Sequence, residues 1–249
     1  MFSVEDRTRI HDRILQMAYS DSRVVAGAVV GSLALDSGDR WSDLDLTFAV
    51  AENFSMLDVL EEWTQTIVKE FDAAHLFDLP SGASIYRVFL LPNCLQFDLS
   101  FTPASKFGAT SPRFKLLFGN SVEKSFPQPL PAHELFGYAV HHILRARFCI
   151  ERNRYWQAEY WISSARDYAL SLACMHHGLS ASNGRGFDNL PDEVHALFAK
   201  SFITSLEREE LLRCLGLVID GLLKESDDVR ELADQVTPQL HELTIPWNL

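Results

Sequence analysis

Hydrophobic positions along this chain change period several times, and each change marks an element. From Ser3 to about Ala18 apolar residues recur every three or four positions, with Ile10, Ile14, Leu15 and Met17 on one stripe, so an opening helix is expected. The run from Val24 to Val30 (VVAGAVV) is short and almost wholly apolar, the pattern of a buried strand, and it ends at Gly31-Ser32. Asp43-Leu44-Asp45-Leu46-Thr47-Phe48 alternates strictly, which is the period of a second strand. A helix should begin at Ser55: Ser55-Met56-Leu57-Asp58 resembles a capping box, and Leu57, Leu60, Trp63, Thr64, Ile67, Val68 and Phe71 follow helical spacing. Strands are then predicted near 75–79, 84–91 and 94–101, punctuated by Pro80-Ser81-Gly82 and Pro92-Asn93.

The mixture of strands and helices stops at Phe126-Pro127-Gln128-Pro129-Leu130-Pro131, whose alternate prolines can continue neither a helix nor a central strand. A domain boundary is expected there, between 1–128 and 129–249. Beyond it, helical spacing recurs over about 133–153, 155–177, 191–200, 205–223 and 227–242, the pattern of an antiparallel bundle. Thr204-Ser205-Leu206-Glu207 reads as a second capping box, Ser180–Asn189 as a loop, and Pro191 as a residue of the next helix's first turn. The expected fold class is α+β, with strands and flanking helices first and a helical bundle after.

Three acids in this pattern carry chemistry. Asp43 and Asp45, two apart in a strand, project from one face while Leu44, Leu46 and Phe48 pack beneath. In Leu95-Gln96-Phe97-Asp98-Leu99-Ser100-Phe101 the same alternation puts Asp98 opposite a core face. If the two strands are neighbours, three carboxylates converge. Such a cluster repels itself unless a cation sits among its members, and hard oxygen ligands suit Mg²⁺, which takes the rest of its shell from water and substrate phosphates. Upstream, Gly31 lets phosphate oxygens approach the backbone, where the following N–H groups and the Ser32 hydroxyl can donate to them. No Walker loop occurs in the sequence.

A Gly-Ser turn, a spacer of about ten residues and an Asp-x-Asp pair flanked by hydrophobics resembles the signature of the nucleotidyltransferase superfamily related to DNA polymerase beta. Gly31, Ser32, Asp43 and Asp45 occupy its positions, and the resemblance covers roughly residues 24–101. Within the superfamily the short chain and helical second half look most like the nucleotidyltransferases that act on aminoglycoside or lincosamide antibiotics. That resemblance implies a mixed-sheet catalytic domain over 1–128 and a helical acceptor-binding domain over 129–249. It also implies Mg²⁺-dependent transfer of a nucleoside monophosphate, AMP from ATP, to a hydroxyl of a small acceptor, with release of pyrophosphate. Asp43 and Asp45 would hold the metal, Gly31 and Ser32 the leaving phosphates, and Asp98 would be either a ligand of a second metal or the general base. A carboxylate of the helical half is another candidate base. Arg40, just before the metal pair, is the leading basic partner for the triphosphate, ahead of Lys106, Arg113 and Lys115.

Composition narrows the alternatives. A formal charge of −12 speaks against tight nucleic-acid binding and suits a cationic acceptor. The absence of any long apolar run and of a basic-then-apolar opening predicts a cytoplasmic protein with no membrane association. Cys94, Cys149, Cys174 and Cys214 are too scattered for a zinc ribbon or a disulfide framework. His141-His142 and His176-His177 lack metal-motif spacing, and Glu151, Tyr155, Trp156, Glu159, Tyr160 and Trp161 are candidate acceptor contacts, with bundle packing the expected role of most of them. Two other classes stay open: a toxin–antitoxin nucleotidyltransferase that modifies a protein or tRNA, and a nucleotide-binding regulatory module without turnover.

Overall fold

Ser3 starts the first helix, α1 (Val4–Ser20), through a reciprocal cap in which the Asp6 N–H donates to Ser3 Oγ (3.0 Å) and the Ser3 N–H to Asp6 Oδ2 (3.1 Å). Ile10, Ile14 and Ala18 form its buried stripe, with Leu15 and Met17 packed partly beside it. The computed structural model describes residues 1–35 and 38–245, in two compact units, Met1–Gln128 and Pro129–Leu249. The fold is α+β.

The first unit is a six-stranded mixed sheet of β1 (Val24–Val30), β2 (Leu44–Val50), β3 (Ala74–Ser81), β4 (Ser84–Leu91), β5 (Leu95–Pro103) and β6 (Phe114–Phe118), in the order β3-β4-β5-β2-β1-β6. Only β2 and β5 run parallel; the other neighbours are antiparallel. The connection between the parallel pair passes through α2 (Met56–Phe71), as a parallel crossover requires. Ser55 caps α2 by accepting the Asp58 N–H.

Both helices cover one face. Ile10, Ile14, Val59, Leu60, Trp63 and Ile67 pack on Leu44, Leu46, Phe48, Phe97, Leu99 and Phe101, the inward half of each alternating strand. The opposite parity of β2 and β5 gives the other face: Asp45, Thr47, Asp98, Ser100 and Thr102. Register thus decides where the acids go, since a slip of one residue would exchange the two faces.

Asp21, just after α1, ties this layer together. Its carboxylate accepts the Arg23 guanidinium at both oxygens (2.9 Å each) and Trp63 Nε1 from α2 (2.9 Å). The Arg23 bond, ahead of the opposing effect of burial and the help from Trp63, holds the Asp21 carboxyl down to about 2. A carboxyl with a depressed pKa in the folded state stabilises the fold above its unfolded value and loses that contribution as the pH falls through the folded one. Asp21→Asn should therefore cost about 2 kcal/mol at neutral pH. The cost should vanish as the pH falls from about 3.8 to about 2, as read from urea midpoints at several pH values.

Three expectations need correction here. β2 begins at Leu44, so Asp43 stands just before the strand rather than in it. β3 extends through Pro80 to Ser81, beyond the expected stop, because it is an edge strand where a missing N–H costs no ladder bond. β6 has no counterpart in the sequence pattern, since five residues that include Lys115 are too few to display a period.

The second unit holds α3 (Ala132–Glu151), α4 (Tyr155–His176), α5 (Asp192–Phe198), α6 (Arg208–Lys224) and α7 (Arg230–Glu242). Ala139, Ala146, Ala158, Ala165, Ala169 and Ala173 are fully buried in its core, and side chains this small let helix axes approach closely. Arg147, fully buried, donates to the carbonyls of Leu243 (2.7 Å) and Ile245 (2.8 Å), which ties the segment after α7 to α3. The expected capping box at 204–207 does not form. α6 starts at Arg208 with no side-chain cap bond from Glu207, and Thr204 instead donates its N–H and hydroxyl to Glu210 Oε1. Pro191 precedes α5 as its cap rather than lying inside it, and the helix ends at Phe198 in a 3₁₀ turn, Ala199–Ser201. Among the described residues no helix is long and apolar enough to cross a membrane.

Candidate metal and nucleotide site

Parallel pairing of β2 and β5 sets Asp45 directly beside Asp98 in register, on the face away from α1 and α2. Asp43 lies two residues earlier, just before the strand. One carboxylate oxygen from each of Asp43, Asp45 and Asp98 lies within 4.8 Å of the others, and all three residues are half-buried. Among the described residues no other group of three or more His, Cys, Asp or Glu side chains is gathered so that it could hold a metal ion.

The local electrostatics agree with the geometry. Burial pushes the Asp98 carboxyl up, and the negative charge of Asp43 adds to the rise. The amide of Gln96, donating to Asp98 Oδ1 at 3.0 Å, draws it partly back. A divalent cation would offset the repulsion among three gathered carboxylates, and their oxygens are the donors a hard metal takes, so the donor set fits such an ion.

β1 delivers the turn. At its end Gly31 has φ of +72° and opens a 3₁₀ turn, Gly31–Leu35, that contains Ser32. The Gly31 N–H donates to the Arg113 carbonyl (3.2 Å), which joins this turn to the start of β6. A β-carbon at position 31 would collide with Asp45 Oδ2. The bare backbone of Gly31 therefore lies directly against the Asp45 carboxylate.

Tyr86 belongs to the same surface and was not among the expected site residues. It is the register partner of Ser100, and its hydroxyl is pushed up first by burial and then by the charge of Asp45, with Ser100 easing the shift. Ser100, Thr102 and Thr47 are themselves buried, so the floor beside the acids is polar and largely out of water. The signal was available: within 84–91, Ile85, Phe89 and Leu91 mark the core parity, and Tyr86 has the other.

The basic candidates fare differently. Arg40 is exposed at the tip of a turn over Asp39–Ser42, with its guanidinium 4.2 Å above the Trp41 ring. Lys106 is exposed in the 3₁₀ turn after β5, and Arg113 meets the site through its carbonyl. Lys115 pairs with Val29, a residue of the helix-side core, and so sits on the face opposite the acids.

In the helical unit Glu151 is already engaged, with Arg147 at 2.9 Å and Arg208 at 2.7 Å. Glu159 accepts from Ser163, and Trp161 packs on His142 with ring centres 4.7 Å apart. Burial, with a contribution from His141, lowers the His142 pKa. Trp156 and Tyr160, 81% and 58% exposed, are the expected acceptor contacts that remain open.

No family model matches the sequence, and no curated protein matches it. Among solved structures, an aminoglycoside 6-adenyltransferase from Bacillus subtilis is similar over 99% of this chain and 100% of its own, at 12% identity and a TM-score of 0.42. JHP933 from Helicobacter pylori is similar over 94% of this chain and 99% of its own, at 10% identity and a TM-score of 0.29. Likenesses this remote add nothing to the geometry of the acids.

Proposed function

We propose that this protein transfers a nucleoside monophosphate, AMP from ATP, to a hydroxyl of a small acceptor of the aminoglycoside or lincosamide type, releasing pyrophosphate in a Mg²⁺-dependent reaction. The observation that carries this is the meeting of Asp43, Asp45 and Asp98 within 4.8 Å against a glycine turn where an added β-carbon would meet Asp45 Oδ2.

Asp43 and Asp45 would hold Mg²⁺. When bound, the metal would neutralise charge on the triphosphate and make the attacking hydroxyl more acidic. Gly31 and Ser32 would orient the phosphates through backbone N–H groups and a hydroxyl. Asp98 would complete the ligand set or take the acceptor's proton, and Asp98→Asn separates the two. Loss of a base lowers turnover with little change in metal affinity, whereas loss of a ligand weakens both. In the helical unit, Trp156 and Tyr160 would supply stacking surface for an acceptor with rings and amines.

The test is to incubate the full-length protein with Mg²⁺, each nucleoside triphosphate in turn and a panel of both antibiotic classes, following pyrophosphate release and acceptor mass. An adduct one nucleotide heavier is the expected result. Nucleotide appearing on protein or tRNA instead would move the acceptor to the toxin–antitoxin class. No Mg²⁺-dependent transfer to anything would overturn the catalytic reading.

A further inference from the structure

We propose that Arg7 is the positioning residue of the acid cluster, acting through the turn that delivers Asp43; this rests on the metal reading above. Arg7 sits in the first half of α1 yet is only 6% exposed. Its Nη1 donates to two main-chain carbonyls, those of Asp39 (2.8 Å) and Ser42 (2.6 Å). These carbonyls open and close the turn that immediately precedes Asp43.

The turn does not need Arg7 in order to exist. Asp39 Oδ1 accepts the Trp41 N–H (2.8 Å) and the Ser42 hydroxyl (3.1 Å), and Ser42 Oγ accepts the Asp39 N–H (3.0 Å), so the loop is closed on itself as an Asx turn. What Arg7 adds is where that closed turn stands relative to α1, and through α1 relative to the sheet. The Ser42 carbonyl belongs to the peptide plane that ends at the nitrogen of Asp43. On the other side Leu44 enters the β2 ladder opposite Phe97. Asp43 lies outside the strand, so nothing in the ladder fixes its approach; Arg7 holds the plane before it as β5 holds the residue after it.

A helix anchored by Ile10, Ile14 and Ala18 has no need of a buried cation for stability, and withdrawing a guanidinium from water is costly unless its N–H groups are met. Here the Nη1 donors are spent on the backbone of the loop that carries a proposed ligand. Groups that hydrogen-bond a metal ligand directly contribute about 10–100-fold to affinity; Arg7 stands one peptide further out, so its loss should fall at the lower end of that range.

Mn²⁺ binding to the full-length protein, followed by electron paramagnetic resonance without substrate, tests this. Arg7→Gln should weaken binding by about 10-fold. Asp21→Asn, which loosens the same domain away from the acids, should bind like wild type at an equal loss of stability. Arg7→Lys keeps the charge on a shorter stem and should recover part of the affinity; it carries the test if Arg7→Gln does not fold. Wild-type affinity in the Arg7 variants, or equal weakening in Asp21→Asn, would overturn the proposal while leaving the metal site standing. A wild-type protein that binds no Mn²⁺ would remove the metal reading first, and this proposal with it.

Discussion

Asp45→Asn should abolish nucleotide transfer while raising the thermal midpoint of the metal-free protein. Asp45 is flanked by Asp98 in register and faces Asp43 within 4.8 Å, so three negative charges share one small volume. Each pair at that separation repels by about 1 kcal/mol in a water-like medium and about 3 kcal/mol at an effective dielectric near 20. Removing the central charge relieves two of these pairs without changing side-chain size. The same substitution removes a metal ligand and the charge stabilisation that depends on it, for which a loss of at least about 10²–10³-fold in turnover is expected. Magnesium should reverse the order of stabilities, because a ligand that binds only the folded state stabilises it in proportion to the logarithm of one plus the ratio of its concentration to its Kd, and the variant binds less tightly. Two melting curves for each protein, with and without Mg²⁺, show whether the lines cross. A variant that is less stable without metal and responds equally to Mg²⁺ would mean that the three acids do not act as one site.

How much of this was visible in the chain depends on how far each signal reaches. Alternation over Asp43–Phe48 and Leu95–Phe101 is local, and it was enough to give both strands and the parity of Asp45 and Asp98, though not that Asp43 falls just outside the strand. Proximity is not local: nothing within either segment says that β2 and β5 are neighbours, and that step stands as a condition on the sequence which only the register meets. Arg7 illustrates what stays hidden. Its partners are main-chain carbonyls 32 and 35 residues away, and a carbonyl has no sequence identity to read. The same holds for Arg147, whose buried guanidinium meets carbonyls nearly a hundred residues on. Glu151 fails in the opposite direction: its acidity looked available to a cationic acceptor, but Arg147 and Arg208 had already taken it. Lys115 seemed near the acids because it is near them in sequence, and a register position on the far face shows how little chain distance means across a sheet.

Gly31→Ala should leave a folded protein with a disabled site, and Gly82→Ala shows why the two losses differ. Both glycines have positive φ, +72° and +59°, a region where an L side chain costs roughly 1–2 kcal/mol. Each alanine variant should therefore lose about that much stability on backbone grounds alone. Gly82 lies in the β3–β4 turn, where an added β-carbon meets nothing within 4 Å. At Gly31 it meets Asp45 Oδ2, so the Asp45 carboxylate must swing away from Asp43 and Asp98, or the turn must move off the cluster. Either movement displaces a reacting or ligating group by the order of an ångström, a misplacement that costs about 10²-fold in rate. Mn²⁺ affinity and turnover should accordingly fall in Gly31→Ala and stay level in Gly82→Ala, at matched losses in urea midpoint. Equal turnover in the two variants would show that the approach of this turn to Asp45 is packing with no part in the chemistry.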